Sequence, residues 1–401
     1  MNDAHRTLMR YLLFGSLFLL LIRCTPSAPT AVPLDTQGQQ YLTVSQRAYQ
    51  RGNFTEALAW ADSALAHAPT AVEPWIHQGN LLFSLDRYAA AESTYTQALV
   101  LQPQDGGIWL NLGNTLFRQQ SFDAARAAYR NATRLLDTPA PWLALAEMHQ
   151  RFSQPDSARL ALQTALTKDS SMAVIYTNLS KLEEAEGQLA AASHYAERAY
   201  AIDTTAATAY QLGILTLKQG DALQAEGLLQ WVATEQPWNF SALFNWGQAL
   251  QRLNRPDAAH PILERAAALR AQAEPVETLA ANSRNVPNNF RVRLELAEAY
   301  RNLGRLPDAL TTYQVAAMLR PNNLDVRHNI ATLHMALGDT AQARIGYESI
   351  ITADSTHVEA LINLMLYHNT QGNRPKARAY LQQAYRHGGP DHPSIRRLQG
   401  T

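Results

Sequence analysis

Residues 72–105 read VEPWIHQGNLLFSLDRYAAAESTYTQALVLQPQD, and the same order of large and small side chains returns in the segments on both sides. The period is about 34 residues. Large residues stand at positions 4, 17 and 24, small ones at 8, 20 and 27, and a proline at 32: Trp75, Tyr88, Tyr95, Gly79, Ala91, Ala98 and Pro103. Self-similarity at a fixed period of this length indicates an architecture of repeated structural units.

Ten such units follow one another through most of the chain. They begin near Gly38, Val72, Gly106, Pro139, Ala173, Ala206, Phe240, Phe290, Leu324 and Val358. Position 20 is alanine in every unit. A larger side chain there would push two packed helices apart, because helix axes at such contacts lie roughly 8–10 Å apart. Six units carry glycine at position 15, which suits the left-handed residue that ends a helix: Gly52, Gly187, Gly220, Gly304, Gly338 and Gly372.

This spacing resembles the tetratricopeptide repeat (TPR) family, and the resemblance covers about 340 of the 401 residues. It implies an all-α fold, an α-α superhelix of about ten helix-turn-helix units with a concave groove lined by the first helix of each pair. It also implies a function, because such arrays bind other chains along the concave face and seldom catalyse reactions. We therefore expect a non-enzymatic protein-interaction scaffold that needs no cofactor.

The domain boundaries follow from these patterns. We expect a signal peptide over 1–23, a proline-rich tether over 24–37, units one to seven over 38–273, an insertion over 274–289, units eight to ten over 290–391 and a tail over 392–401. Pro275 can begin a helix, and a weak apolar stripe follows it. We interpret the insertion as an unpaired half-repeat, with a plain surface loop as the alternative.

The N-terminal segment differs from the repeats. Its apolar run from Tyr11 to Ile22 is too short to cross a bilayer but fits the apolar region of a secretory signal. The run is followed by Cys24, the only cysteine of the chain. This arrangement resembles a bacterial lipoprotein signal, which is cut before a cysteine that then carries lipid. Arg23 departs from the small residue usual in that motif, so an uncleaved anchor and cleavage without lipidation are the alternatives.

Lipidation of Cys24 would attach the protein to a membrane in the bacterial cell envelope, on the periplasmic or outer-membrane side.

The chain balances 34 basic against 34 acidic residues. This balance argues against a nucleic-acid partner, which requires a basic face. The sequence also lacks the glycine-rich phosphate loops, the zinc-binding helix motif and the nucleophile elbow of common enzymes. We therefore expect no catalytic residue, no metal site and no small-molecule substrate.

The candidate binding residues lie in the first helices. Position 6 of these helices points into the concave surface in TPR arrays, and it is asparagine in five units: Asn111, Asn178, Asn245, Asn329 and Asn363. An amide offers two donors and an acceptor, so a row of amides can bond the backbone of an extended segment of another protein. The row resembles the asparagine ladder of O-linked glycosyltransferases. Beside it we expect three aromatic groove residues, Phe83, Phe117 and Phe244.

Other interpretations stay open. Asparagine is common at position 6 throughout the family, so the row is also explained by family habit. An accessory or substrate-recognition arm of an envelope enzyme complex would carry the same repeats. So would an anchor-bound regulator that faces the cytoplasm.

Overall fold

The computed structural model describes residues 32–399, and every regular element in that range is a helix. The predicted signal peptide and Cys24 lie outside the described residues. The helices are α1 Thr36–Gln50, α2 Phe54–His67, α3 Val72–Ser84, α4 Tyr88–Leu101, α5 Gly106–Arg118, α6 Phe122–Leu135, α7 Ala140–Arg151, α8 Pro155–Lys168, α9 Ala173–Ala185, α10 Leu189–Ile202, α11 Ala206–Gln219, α12 Ala222–Glu235, α13 Phe240–Arg252, α14 Pro256–Asn285, α15 Phe290–Asn302, α16 Leu306–Leu319, α17 Leu324–Ala336, α18 Thr340–Ala353, α19 Val358–Thr370, α20 Arg374–Gly388 and α21 Pro393–Gln399. Helices α1 to α20 pack as ten consecutive pairs, which confirms the predicted all-α superhelix of helix-turn-helix units.

Within a pair, a small residue of the first helix faces a large residue of the second. A Cβ atom placed on Gly79 would lie 2.6 Å from the ring of Tyr95, and one placed on Gly113 would lie 2.5 Å from the ring of Tyr129. The alanine at position 20 is buried in all ten units. The assigned repeat positions therefore correspond to the contacts that hold each pair together.

The turn inside each unit contains one residue with a left-handed backbone. Six of these residues are the predicted glycines, with φ from 72° to 96°. The other four units place Asp86, Gln120, Ser153 and Asn254 there, with φ between 52° and 63°. A side chain in this conformation costs about 1–2 kcal/mol, so the packing of the pair determines the turn even where glycine is absent.

Tryptophan joins successive units. The indole N–H of Trp75 donates to the carbonyl oxygen of Pro69 at 3.0 Å, and that of Trp109 donates to Pro103 at 2.9 Å. Both rings pack against the apolar cluster that runs through units two to five. Each ring thus fixes a first helix against the loop that precedes it.

The array curves towards its first helices. Helix α1 contacts α3, α3 contacts α5, α9 contacts α11 and α11 contacts α13 across the unit boundaries. Since first helices of neighbouring units approach each other directly, they line the inner side of the curve. This side is the candidate binding groove.

The inserted segment differs from the expected separate half-repeat. Helix α14 runs for 30 residues without a break, and Pro275 lies inside it. Proline inside a helix removes one backbone hydrogen bond. Here the helix continues because Val276 is buried against Leu296 and Leu303 of unit eight. The segment therefore extends the second helix of unit seven and packs it onto the next unit.

The expected C-terminal tail contains the short helix α21. Its Ile395 is buried in a cluster with Val358, Leu361 and Ala384 of the last unit. A terminal repeat has no neighbour on its outer side and needs such a cover. Helix α21 therefore caps the array.

The superhelix also closes on itself. Val315 in α16 lies in a buried cluster with Phe54 and Leu85 of units one and two. Beside this cluster, Arg293 in α15 forms a 2.9 Å salt bridge with Asp86, 207 residues away in the sequence. Arg293 is only 4% exposed. We name this contact, formed by these five residues, the closure seam.

Backbone strain in the turns gives the first testable prediction. Gly187→Ala is expected to lower the free energy of unfolding by about 1 kcal/mol. No atom lies within 4 Å of a Cβ at Gly187, so the loss would report the left-handed backbone alone. Gln120→Gly should shift stability the other way. Thermal melts followed by circular dichroism measure both, and identical midpoints for the three proteins would contradict the turn geometry.

The closure seam gives the second prediction. Asp86→Asn is expected to cost about 1–3 kcal/mol, because the amide keeps the shape but leaves the buried guanidinium of Arg293 without its counter-charge. Asparagine also tolerates the left-handed backbone, so turn strain does not interfere. The matched control is Asp123→Asn, since Asp123 pairs with Arg126 at the surface. Equal chemical-denaturation curves for the two variants would contradict the seam.

Candidate functional site

The position-6 side chains connect neighbouring first helices. Nδ2 of Asn111 donates to Oδ1 of Asn80 at 3.2 Å, and the Tyr95 hydroxyl donates to the same oxygen at 2.6 Å. In unit six, Nε2 of Gln211 donates to Oε2 of Glu184 in the preceding unit at 2.7 Å. These amides therefore hold the groove surface together from one repeat to the next.

The remaining predicted asparagines divide into two groups. Nδ2 of Asn245 donates to the backbone oxygen of Ser241 at 2.8 Å, and Oδ1 of Asn329 accepts from Arg301 at 3.0 Å. Asn178 and Asn363 are half-buried, and their side chains make no hydrogen bond within residues 32–399. The row thus combines amides that already form hydrogen bonds with amides whose donors and acceptor are all free to bond a partner.

Bonded amides retain part of their capacity as well. An amide has two N–H donors and a carbonyl oxygen. The contact with Asn80 uses one donor of Asn111, which leaves the second donor and the oxygen. The bonded donor already fixes the Asn111 side chain. Binding of a partner would therefore cost less side-chain entropy at this residue.

The three predicted aromatic residues occupy different environments. Phe83 and Phe117 are half-buried and pack against the core of units two to five. Each ring also contacts, edge-on, the aromatic residue that begins the second helix of its unit. The ring centroids of Phe83 and Tyr88 are 5.4 Å apart, and those of Phe117 and Phe122 are 5.6 Å apart. Phe244 is 48% exposed. Of the three, Phe244 presents the largest free apolar surface.

Two histidine rings stack where units nine and ten meet. The ring of His328 stacks on that of His357 at 5.4 Å and lies 5.6 Å from the ring of Tyr347. Burial is the main cause that lowers the pKa of His328, and His357 lowers it further, while Glu359 and Asp325 act in the opposite direction. Stacking between units nine and ten was not predicted, because it depends on how His357 ends the loop before α19.

Between residues 32 and 399, no three His, Cys, Asp or Glu side chains come together closely enough to share an ion. None of the helices in this range has the length and apolar character that crossing a membrane requires.

Acidification is expected to weaken unit nine. Burial lowers the pKa of His328 and of His334 below the ordinary value of 6.5. Below that pH the unfolded chain binds more protons than the folded chain, so the free energy of unfolding falls. Amide exchange in α17 and α18, corrected for intrinsic rates, measures local opening at about pH 7.5 and about pH 5. Equal opening free energies at the two pH values would contradict this expectation, and His328→Phe should reduce the difference.

Known proteins with similar sequences or structures are also built from repeats. The sequence profile of the tetratricopeptide repeat family matches residues 77–138 and 244–323. No curated protein gives a significant sequence match. Among solved structures, the chain is similar to MamA (20% identity, 42% of this chain and 94% of that one, TM-score 0.37) and to the C-terminal part of a TPR protein from Cytophaga hutchinsonii (15% identity, 64% and 99%, TM-score 0.41). It is also similar to YrrB, described as a TPR protein with an unusual peptide-binding site (20% identity, 50% and 96%, TM-score 0.26).

The two profile matches fall in separate parts of the array, one in units two and three and one in units seven and eight. Between and beyond them, the same buried alanine and the same left-handed turn residue recur in all ten helix pairs. The chain therefore carries tetratricopeptide repeats in these two segments, and its other helix pairs have the same architecture.

Proposed function

We propose that this protein is a non-enzymatic, membrane-tethered scaffold of the bacterial cell envelope that binds extended segments of partner proteins in its concave groove. TPR arrays bind other chains on the face that their first helices line. The observation that carries the proposal is the row of position-6 amides on that face, from Asn111 in unit three to Asn363 in unit ten.

Backbone recognition follows from the chemistry of these amides. An extended segment presents one N–H and one C=O per residue. An asparagine side chain can bond both kinds of group, so the row accepts many sequences. Each net hydrogen bond contributes only about 0.5–1.5 kcal/mol, and affinity therefore needs several units at once.

Apolar contacts would add sequence preference. The exposed half of Phe244 offers a surface against which a partner side chain can pack. Covering it would contribute about 1 kcal/mol. Phe83 and Phe117 contribute less because their own units already cover them.

Membrane attachment in this proposal depends on Cys24. The proline-rich segment after Cys24 ends where α1 begins at Thr36. If that segment is extended, it would separate the lipid from the first unit by up to roughly 40 Å. Such a distance would leave the whole groove accessible to partners in the envelope.

Lipidation is tested by metabolic labelling with an alkyne fatty acid. Wild-type protein is expected to incorporate the label and Cys24→Ala is not, because the thiol is the acylation site. Arg23→Gly should increase the processed fraction, since it restores a small residue before the cysteine. Labelling of Cys24→Ala at the wild-type level would rule out the lipid anchor.

Partner binding is tested first by photo-crosslinking. A benzoyl-phenylalanine at Phe244 is expected to capture a partner protein, whereas one at Leu223 is not. Leu223 is the matched control because it is also an exposed apolar residue but lies on a second helix, α12. Capture at Leu223 alone would place the binding surface outside the groove.

The amide row is then tested with the captured partner. Changing Asn111, Asn178 and Asn245 together to alanine is expected to weaken binding by about 1.5–4.5 kcal/mol. The control changes three exposed polar residues of second helices to alanine: Gln97, Arg130 and Glu197. Calorimetry compares the affinities of the two triple variants for the partner. Equal affinities would mean that the asparagines do not bind it and are only common at position 6 in the family.

A further inference from the structure

Two adjoining cavities lie at the closure seam, outside the amide row. The larger has a volume of about 890 Å³ and lies between the turns of units two and three and the end of α14. The smaller, of about 380 Å³, extends towards α15 and α16. Both are lined by Asp86, Tyr88, Arg118 and Arg284, so they form one continuous site.

Three arginines from three separate elements line the larger cavity. Arg87 directly precedes α4, Arg118 is the last residue of α5, and Arg284 lies at the end of α14. None of the three has a carboxylate within salt-bridge distance among residues 32–399. The cavity therefore gathers three positive charges without counter-charges.

The nearby carboxylates already have partners. Among residues 32–399, Asp86 is the one acidic residue that lines the larger cavity. Its Oδ2 accepts from Arg293 at 2.9 Å, and its Oδ1 accepts from the Tyr88 hydroxyl at 2.5 Å. In the smaller cavity, Asp308 pairs with Arg305 at 2.9 Å. The positive charge of the site is thus uncompensated.

Buried donors add to this excess. Arg293 and Ser283 both line the smaller cavity and are 4% and 1% exposed. Nη2 of Arg293 and Oγ of Ser283 have no hydrogen-bond partner within the described part of the chain. A buried donor without an acceptor is costly, so the site favours a ligand that supplies acceptor oxygens.

Tyr88 lines both cavities beside these charges. Burial and the hydrogen bond to Asp86 raise the pKa of its hydroxyl, while the positive charges of Arg118 and Arg284 act to lower it. Two arginines from opposite sides of the seam therefore both lie near one hydroxyl group.

We propose that the seam cavity binds a small multivalent oxyanion, of the polyphosphate or polycarboxylate class, through Arg87, Arg118 and Arg284. A guanidinium group presents a planar fork of N–H donors that bonds two oxygens of a phosphate or carboxylate at once. Three such groups require a ligand with several negative oxygens. The volume of the larger cavity lies within the usual range for small-molecule sites.

Ligand binding would also affect the closure of the superhelix at the seam. Arg118 belongs to unit three and Arg284 to the end of α14, so one ligand would contact both sides of the seam. A ligand that binds the closed form more tightly stabilises that form by mass action. The oxyanion would therefore hold the array closed and fix the shape of the groove.

The test uses the full chain in detergent and isothermal titration calorimetry with two probes, pyrophosphate and citrate. Saturable binding is expected for at least one probe. Binding of pyrophosphate alone identifies a phosphate ligand, binding of citrate alone identifies a carboxylate ligand, and binding of both indicates recognition of the shared oxyanion chemistry. Added salt should weaken the affinity because exposed arginines are screened.

Variants decide whether the arginines form the site. Arg118→Gln and Arg284→Gln are each expected to weaken affinity roughly tenfold or more. Arg130→Gln is the matched control, since Arg130 is an exposed arginine of α6 outside both cavities. Circular dichroism checks that all three variants are folded. No saturable binding of either probe, or wild-type affinity in both seam variants, would overturn the proposal.

Discussion

A large side chain on one helix packed against a small residue of its partner is the contact on which the rest of this molecule depends. Gly79 faces Tyr95 and Gly113 faces Tyr129 with no space for a further carbon atom. The contact sets the distance and angle within each pair. Because it recurs with the same spacing in successive units, each unit is rotated from the last in a similar way, and curvature follows from the local packing.

Curvature in turn produces contacts that a linear solenoid lacks. In an ordinary repeat array each unit touches only its neighbours, and stability is nearly a sum over adjacent pairs. Here Val315 of unit eight packs on Phe54 of unit one, and Arg293 pairs with Asp86 of unit two. The extension of α14 supports this arrangement by filling the space before unit eight. The array is therefore stabilised by contacts of unit eight with units one and two as well as by contacts between adjacent units.

Features set by local spacing were predictable from the sequence. The alanine at position 20 and the position of the turn follow from the period, and the period predicts a left-handed residue even at Gln120 and Ser153, where the residue type does not. The continuous α14 was not predictable, since the burial of Val276 outweighs the usual effect of Pro275. The seam was not predictable either, because it depends on the summed rotation of the intervening units.

The candidate site was partly predictable for the same reason. Spacing predicts that Asn111 lies on the inner face. Spacing does not reveal that Asn111 bonds Asn80 of the preceding unit, nor that Phe117 is covered while Phe244 is exposed. The bond to Asn80 arises from a contact between units, and the cover of Phe117 arises from its packing against Phe122 and the core of units two to five. The repeat spacing encodes neither contact.

The central claim is that the superhelix closes on its own first units. Peptide-resolved amide hydrogen exchange tests it most directly. Val315→Glu places a charge in the seam, whereas Ile345→Glu places one at an exposed apolar position of α18. Faster exchange in α2 and in the turn before α4 for Val315→Glu alone, with α9 and α10 unchanged, is the predicted result. Unchanged exchange in α2 and that turn in Val315→Glu would contradict a superhelix that closes on its own first units.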